Sequence, residues 1–332
     1  MAYNRLLLIA CVFSLTFIAG CTRGGSDTAG DGSTGQLTVA VIPKSTGGEF
    51  WETVEEGARE GAERLGVNIK WEGPLAETEL AEQNKIIENM VNLGVDGVAL
   101  APLNNRTMRK SVQRVVEAGI PVVIFDSAVD GDAHISYVAT DNNLGGKIAA
   151  DYLIEQLADT KRLFLLRYIQ GTASTEQRAQ GFLDTAQEAG FDVLADPYCQ
   201  DGTVAGAIKT ASNVLEGFVK DGALQLDGMF AVNLYSTMGL VEALKDLRKS
   251  GIKVDVVFVG FDTNEKLIED VQADNIQALV SQRPHKMGDL AVETLVRHLR
   301  GEKVEPRIDT GVELVTRDRL EESEIRKLVG LE

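Results

Sequence analysis

The stretch from Val95 to Asp126, VDGVALAPLNNRTMRKSVQRVVEAGIPVVIFD, decides the fold of this chain. It begins and ends with short apolar runs, VDGVAL and IPVVIF, which have the length and β-branched character of buried strands. Between them, RTMRKSVQRVVEAG has apolar residues at helical spacing and ends at a glycine, as helices often do. Because parallel strands need a crossover connection, this order of elements predicts one unit of a parallel sheet.

The same alternation continues along the chain in both directions. The apolar runs LTVAVI, VNIKWEG, LDGMFAVN, VDVVFVGFD and IQALVSQ are each followed by a helical pattern. The alternation occurs twice, over roughly 37–140 and 143–280. We therefore predict an α/β protein with two similar parallel sheets flanked by helices, and 332 residues suit two domains.

Composition places the chain among folded globular proteins and excludes one class of partner. It is 44% hydrophobic and 25% charged, and 50 acidic against 33 basic residues give a net charge of −17. Nucleic acid is not expected as a partner, because its phosphates would be repelled by so acidic a surface.

The first residues have the pattern of an export signal. A short basic stretch, MAYNR, precedes the apolar run LLLIACVFSLTFIAG, which ends directly at Cys21. This arrangement resembles a bacterial lipoprotein signal, with Ile18, Ala19 and Gly20 before the cysteine that receives lipid. We predict a signal peptide over 1–20, with a plain secretory signal or a short membrane span as alternatives.

The segment after that cysteine is rich in Gly, Ser, Thr and Asp, so 21–36 is expected to be a flexible tether. The protein would then be held by lipid in the periplasm or on the outer face of the cell membrane. Cys11 would leave with the signal and Cys21 would carry the lipid, so Cys199 would be the one thiol left in the body. A disulfide framework is excluded, and we expect Cys199 to be a structural, partly buried residue.

Polar and aromatic residues are concentrated in the loops that follow the predicted strands. Ligands of open parallel sheets bind beyond the carboxyl ends of the strands. Aromatic rings stack on the C–H faces of a sugar, and planar polar groups bind its neighbouring hydroxyls, so these loops suit a sugar-like ligand. The candidates are Phe50, Trp51, Asp126, Ser127, Arg178, Asn233, Asp262 and Gln282, with Ser174 as a further candidate. P-loop, HExxH and GxSxG motifs are missing from the sequence, and we expect no cofactor and no metal.

Four stretches of the sequence resemble the ribose-binding class of periplasmic sugar-binding proteins. They are ISYVATDNNLGGKIAADYL (Ile135 to Leu153), FAVN, VFVGFDTNE and ALVSQRPHKMG, and the similarity extends over 37–316. The resemblance implies two Rossmann-like lobes joined by a three-segment hinge, the periplasmic-binding-protein-like I fold. The crossings would lie near Thr140–Asp141, Ser281–Gln282 and Gly311–Val312. The N-terminal lobe would be 37–140 plus 283–310, and the C-terminal lobe 141–282 plus 311–332.

The resemblance also implies roles for single residues. Phe50 and Trp51 would be the aromatic contacts and Asp126 the hydroxyl-binding aspartate of the first lobe. The arginine, asparagine, aspartate and glutamine of the second lobe and hinge would be Arg178, Asn233, Asp262 and Gln282. The chain departs from the ribose binders at four positions, so ribose itself is not carried over: Gly48, Ser127, Gln200 and Leu234.

A second similarity points to another ligand. VIPKSTGGEFW, WEGP and FDSA are similar to the receptor for the furanose-like signal autoinducer-2, which uses a lysine and an aspartate at these places. Lys44 and Asp126 match that pair, and Glu176 with Gln177 nearly match its acid–amide pair. The ligand therefore stays open between a pentose, a hexose, a polyol and a furanosyl signal.

The expected function is a monomeric solute receptor, not an enzyme, which delivers its ligand to the permease of an ABC importer. A receptor that passes the same ligand to a sensor kinase or chemoreceptor is the alternative. The effector domain of a transcriptional repressor shares the fold but needs an N-terminal DNA-binding motif, and the lipoprotein signal stands there instead. Asp126 and Asp262 could imitate the carboxylates of a glycosidase, yet the nearby arginine and amides favour holding a sugar over cleaving it.

Overall fold

Two six-stranded sheets form the framework in the computed structural model, which describes residues 36–157 and 161–331. The strands of the first sheet are all parallel and lie in the order β13-β5-β4-β3-β1-β2. Their bounds are β1 Thr38–Ile42, β2 Asn68–Trp71, β3 Gly97–Leu100, β4 Val122–Phe125, β5 Ser136–Ala139 and β13 Arg307–Asp309.

The second sheet has the order β14-β12-β11-β10-β6-β7, in which only the edge strand β14 is antiparallel to its neighbour. Its strands are β6 Arg162–Leu166, β7 Asp192–Ala195, β10 Gly228–Ala231, β11 Val257–Phe261, β12 Ala278–Ser281 and β14 Glu313–Thr316. A small antiparallel hairpin, β8 Val219–Lys220 with β9 Ala223–Leu224, lies apart from both.

Helices cover both faces of each sheet. The helices of the first sheet are α1 Glu49–Leu65, α2 Leu80–Leu93, α3 Arg109–Glu117 and α9 Pro284–Leu299. Those of the second are α4 Asn142–Leu157, α5 Ala173–Glu188, α6 Val204–Leu215, α7 Leu234–Lys249, α8 Glu265–Gln272 and α10 Ser323–Leu328. Short 3-10 turns follow α6 at Glu216–Phe218 and β14 at Arg317–Glu321.

The core explains why the strand sequences are continuously apolar. In β1, Val39 and Val41 pack under α1 and α9, whereas Ala40 and Ile42 pack under α2 and α3. Successive side chains point to opposite faces of a strand, so a sheet covered on both faces needs apolar residues at every position. The predicted α/β class with two parallel, helix-flanked sheets in two lobes is confirmed.

The chain passes between the two sheets three times. The connections run from β5 to α4, from β12 to α9 and from β13 to β14. The predicted signal peptide, lipidation site and most of the tether lie outside the described residues. Across 36–157 and 161–331, none of the helices has the length and apolar character needed to cross a membrane.

Close packing of α4 against α5 sets the position of one candidate residue. A Cβ atom on Gly146 would lie 1.9 Å from the carbonyl oxygen of Arg178, and one on Gly181 would lie 2.1 Å from that of Asn143. Only glycine allows the two helix backbones to approach so closely. The approach brings the side chain of Arg178 beside Asn142 at the start of α4.

Candidate ligand-binding site

A small cavity lies where the carboxyl ends of the strands of both sheets face each other. Fourteen residues line it, and all of them follow the carboxyl end of a strand. Nine are candidates from the sequence, namely Lys44, Phe50, Trp51, Asp126, Ser174, Arg178, Asn233, Asp262 and Gln282. A wider surface groove adjoins the cavity and shares Phe50, Asp262 and Gln282 with it.

Asp126 and Asp262 occupy equivalent places in the two sheets. Each directly follows a strand, and each has a positive φ, 59° and 69°. The backbone N–H of Asp126 donates to the carbonyl of Val138 at 3.0 Å, and that of Asp262 donates to Val280 at 2.9 Å. A left-handed backbone at a residue other than glycine costs about 1 kcal/mol or more, and aspartate is one of the residues that adopt it most often. The same strained turn therefore aims one carboxylate from each sheet at the cavity.

The ammonium of Lys44 forms an ion pair with Asp126. Lys44 Nζ lies 2.6 Å from Asp126 Oδ2, and both side chains are about 4% exposed. Lys44 Nζ also donates to Ser174 Oγ at 3.2 Å, which links the first sheet to the start of α5 on the second. This contact places a positive charge in the cavity beside the first aspartate.

Arg178 provides the second positive charge. Its Nε donates to Asn142 Oδ1 at 2.8 Å and its Nη1 donates to the carbonyl of Val232 at 3.0 Å. The guanidinium lies over the ring of Phe261, 3.8 Å from the centroid, and Nη1 is 4.0 Å from Asp262 Oδ2. Burial lowers the pKa of Arg178, while the carboxylate of Asp262 opposes that shift. A guanidinium has five N–H groups, so this fixed side chain retains donors for a ligand.

Asp262 and Gln282 hold each other in place. Asp262 accepts hydrogen bonds from the backbone N–H of Leu234 at 2.9 Å and from Gln282 Nε2 at 2.7 Å. Burial raises the pKa of Asp262 above its ordinary value. Gln282 Oε1 is buried without a hydrogen-bond partner in the described part of the chain. Buried polar atoms are rarely left unpaired, so this oxygen has hydrogen-bonding capacity for a polar ligand.

The aromatic pair forms an apolar wall of the cavity. The ring centroids of Phe50 and Trp51 are 5.1 Å apart at an interplanar angle of 89°, and Trp51 also contacts Phe125 edge to face. Trp51 is 2% exposed and is part of the core under α1, whereas the half-buried Phe50 packs against apolar clusters of both sheets. The indole Nε1 of Trp51 donates to Glu77 Oε1 at 2.8 Å.

Asn233 begins α7 and lines the cavity at the same time. Its Oδ1 accepts the backbone N–H of Ser236 at 3.0 Å, and the hydroxyl of Ser236 accepts the N–H of Asn233. This capping box uses the amide oxygen. The amide nitrogen is not used by the cap and is the group that can donate to a ligand.

Gly48 and Tyr235 fit together across the cavity. Gly48 has a φ of 94°, and a Cβ atom there would lie 2.9 Å from the hydroxyl oxygen of Tyr235. The tyrosine therefore fills the space that a longer residue at position 48 would occupy. This contact gives a structural reason for the glycine at position 48, which is one of the departures from the ribose binders.

Two predicted site residues lie outside the cavity lining. Ser127 is fully buried, and its Oγ accepts the backbone N–H of Ser174 at 3.0 Å, so it joins the two sheets to each other. Gln177 is exposed on α5, because it precedes the inward-facing Arg178 by about 100° of helix rotation. Neither residue lines the cavity, so their contact with a ligand stays a prediction.

Five lining residues were not among the predicted contacts. They are Glu77, Thr172, Thr175, Leu234 and Tyr235. Glu77 follows β2 in the loop WEGPLAE, so the rule that placed the other candidates beyond strand ends applies to it as well. Thr172 and Thr175 flank the start of α5, where the sequence alone does not show which side of the helix faces the other sheet.

The described residues give no support for a metal site or a catalytic thiol. Within 36–157 and 161–331, no three His, Cys, Asp or Glu residues are grouped so that they could hold a metal ion. Cys199 is a free cysteine that is more fully buried than expected, and burial raises the pKa of its thiol to about 12. The thiolate needed for nucleophilic chemistry is therefore disfavoured.

The sequence and the fold of this chain are both similar to those of known proteins. Residues 39–303 match the family model described as a periplasmic binding protein domain. The ribose import binding protein of Escherichia coli is 28% identical over 286 residues, which are 84% of this chain and 90% of that protein. A carbohydrate transporter solute-binding protein from Agrobacterium radiobacter, solved with D-arabinose, has a TM-score of 0.82 and 30% identity over 90% of this chain and all of its own. An ABC transporter solute-binding protein from Agrobacterium vitis, solved with D-fucose, has a TM-score of 0.81 and 32% identity over 88% and 99%.

Proposed function

The chain belongs to the periplasmic binding protein domain family, and from that premise we propose that it captures a sugar or sugar-like ligand in the cavity between its two sheets. The family binds solutes for transport and is not a family of enzymes. The membership of this chain in the family agrees with the resemblance of its sequence to ribose-binding proteins. The similarity to the autoinducer-2 receptor remains a prediction.

The observation that carries the proposal is the set of groups that the cavity brings together. An apolar wall of Phe50 and Trp51 faces fixed polar groups that include Asp126, Arg178 and Gln282. A monosaccharide has apolar C–H faces and a rim of hydroxyls that donate and accept, so it can use both kinds of surface at once. The solved relatives from the two Agrobacterium species contain D-arabinose and D-fucose, which supports the same class of ligand here.

We propose further that the lobes close on the ligand by a hinge motion. The three connections between the sheets are short, and direct contacts already join the two sides of the cavity. The backbone N–H of Asn105 donates to the carbonyl of Gly171 at 3.1 Å, and Thr172 Oγ1 donates to the carbonyl of Leu103 at 3.4 Å. A closed cleft of this kind must open to admit and release its ligand, and hinge closure is the common solution.

Lipid anchoring and delivery to an ABC importer complete the proposal. They are supported by the signal pattern that ends at Cys21 and by similarity to import binding proteins. Labelling of the cells with a radioactive fatty acid should mark the protein, and Cys21→Ser should abolish that label. An unlabelled wild-type protein would contradict the proposed lipid anchor. It would not bear on the proposed ligand, which the binding experiments test.

A thermal-shift screen tests the proposed ligand class. The Cys21→Ser chain would be melted with pentoses, hexoses, polyols and autoinducer-2-type furanoses. A ligand at 100 times its dissociation constant should stabilise the protein by about 2.7 kcal/mol. A cooperative melt that no member of the panel shifts would overturn the proposal.

One observation favours the furanosyl signal as a second candidate. The lysine and aspartate that match the autoinducer-2 receptor form a direct ion pair in the cavity, Lys44 to Asp126 at 2.6 Å. Under this alternative the bound ligand would be passed to a sensor kinase or chemoreceptor. A shift with the furanose and with none of the sugars would favour it.

A further inference from the structure

Glu77 lines the cavity, but neither the sequence motifs nor the family resemblance assigned it a role. It lies in the loop between β2 and α2, and its side chain is half-buried. One carboxylate oxygen, Oε1, accepts the indole N–H of Trp51 at 2.8 Å. The residue is therefore attached to the aromatic wall of the site.

The charges of the cavity set Glu77 apart from the other two carboxylates. The charged lining residues are three acids and two bases: Glu77, Asp126, Asp262, Lys44 and Arg178. Asp126 pairs with Lys44 at 2.6 Å, and Asp262 lies 4.0 Å from Arg178. Among the described ion pairs Glu77 appears in none, and its hydrogen-bond partners are neutral groups, the indole of Trp51 and the hydroxyl of Tyr168. An ionised carboxylate has about four acceptor positions, and the indole uses one of them.

We propose that Glu77 is a specificity-determining residue of this site, which orients the Trp51 indole with one oxygen and accepts a hydrogen bond from a ligand hydroxyl or amine with the other. This inference rests on the proposed sugar-binding function. A ligand without a donor at that position would leave acceptor positions of the Glu77 carboxylate unused beside the indole, so such a ligand should be disfavoured.

The groups that face Glu77 come from several elements. Lys44 follows β1, Asp126 follows β4, Asp262 follows β11 and Tyr168 follows β6, while Tyr235 and Arg178 belong to α7 and α5. Burial raises the pKa of Glu77, Lys44 and the hydrogen bond from Trp51 oppose that shift, and the two aspartates add to it. Glu77 should therefore take up a proton at a higher pH than a free glutamate. Because a protonated carboxyl loses acceptor capacity, the affinity for a donor should fall as the pH is lowered through that raised pKa.

Binding to matched sugars tests the specificity claim. The pairs are D-ribose with 2-deoxy-D-ribose, D-glucose with 2-deoxy-D-glucose and D-galactose with D-fucose, measured by calorimetry on the Cys21→Ser chain. Glu77→Gln should weaken a sugar that binds by about tenfold, because a hydrogen bond to a charged group is replaced by a weaker one. The control is Glu72→Gln, since Glu72 is exposed in the same loop. The wild type should also lose affinity between pH 8 and pH 5, and Glu77→Gln should lose less.

Tryptophan fluorescence tests the orientation claim without any sugar. The chain has two tryptophans, so Trp51 is the only one left in a Trp71→Phe background. Glu77→Gln should shift the emission of Trp51, and Glu72→Gln should leave it unchanged. An unshifted emission would overturn the positioning role.

The two failures are distinguishable. If the wild type binds none of the sugars, the proposed function is wrong. The fluorescence result still tests the contact between Glu77 and Trp51. If a sugar binds the wild type and Glu77→Gln binds it equally well at both pH values, the sugar proposal stands and the specificity role of Glu77 is wrong.

Discussion

Replacement of Lys44 by methionine is expected to destabilise the ligand-free protein far more than the loss of an ordinary lysine. The ion pair with Asp126 is 2.6 Å long, and both side chains are about 4% exposed. At an effective dielectric constant of about 20, the attraction at that distance is on the order of 6 kcal/mol, most of which is offset by desolvation of the two charges. Removing one partner leaves a buried carboxylate uncompensated, so Lys44→Met should lower the free energy of unfolding by about 3–5 kcal/mol.

A double-mutant cycle measured by urea unfolding at pH 7 isolates this coupling. Asp126→Asn removes the charge and suits the left-handed backbone at that position, where φ is 59°. The double variant should lose at least about 2 kcal/mol less than the sum of the single variants, because it leaves no unpaired charge. Lys85→Met is the matched control, since its pair with Glu82 is 3.3 Å long with side chains 66% and 47% exposed. That loss should stay below about 1 kcal/mol.

Two results would refute the argument. If Lys44→Met costs no more than Lys85→Met, the pair is solvated in the ligand-free protein and does not shape the cavity. If the losses at Lys44 and Asp126 are simply additive, the two charges do not interact as their distance implies.

Three further predictions follow from the site. Burial raises the pKa of Asp262, so the native state binds a proton more tightly than the unfolded chain. The free energy of unfolding should therefore fall as the pH rises from the ordinary aspartate pKa to the raised value. Asp262→Asn should flatten that dependence in urea unfolding at pH 4 to 8, and it should also weaken sugar binding. Gly48→Ala should weaken binding by opposing closure against Tyr235, and adding Tyr235→Phe should restore part of the affinity in calorimetry, because the hydroxyl 2.9 Å from the new Cβ is removed. Cys199, buried and with a pKa raised to about 12, should react with Ellman's reagent only after unfolding, and rapid labelling of the native protein would contradict its burial.

The fold was predictable because its signal is local and repeated. Each central strand of a sheet that is covered on both faces must be apolar throughout, and each crossover helix must keep one apolar face. The stretch from Val95 to Asp126 shows both patterns in 32 residues. The position of most site residues followed from the same regularity, because the carboxyl ends of parallel strands meet at one edge of a sheet.

What the sequence could not supply depends on contacts between residues distant along the chain. Ser127 was expected at the ligand, but the N–H of Ser174 uses its hydroxyl, and that contact exists only when the two lobes meet. Gln177 was expected beside Arg178, but neighbours on a helix face different directions. Glu77 was missed because its link to Trp51 spans 26 positions and follows no motif. The pairing of Gly48 with Tyr235 is of the same kind.

The most direct test of the account is calorimetric titration of the Cys21→Ser chain with the sugar that gives the largest thermal shift, repeated with Arg178→Lys and Gln177→Ala. The account predicts one binding site per chain, an affinity reduced at least about tenfold by Arg178→Lys, and no change with Gln177→Ala, because Arg178 lines the cavity and Gln177 is exposed on the same helix. Equal affinity in all three proteins would place the sugar outside this cavity and contradict the central claim.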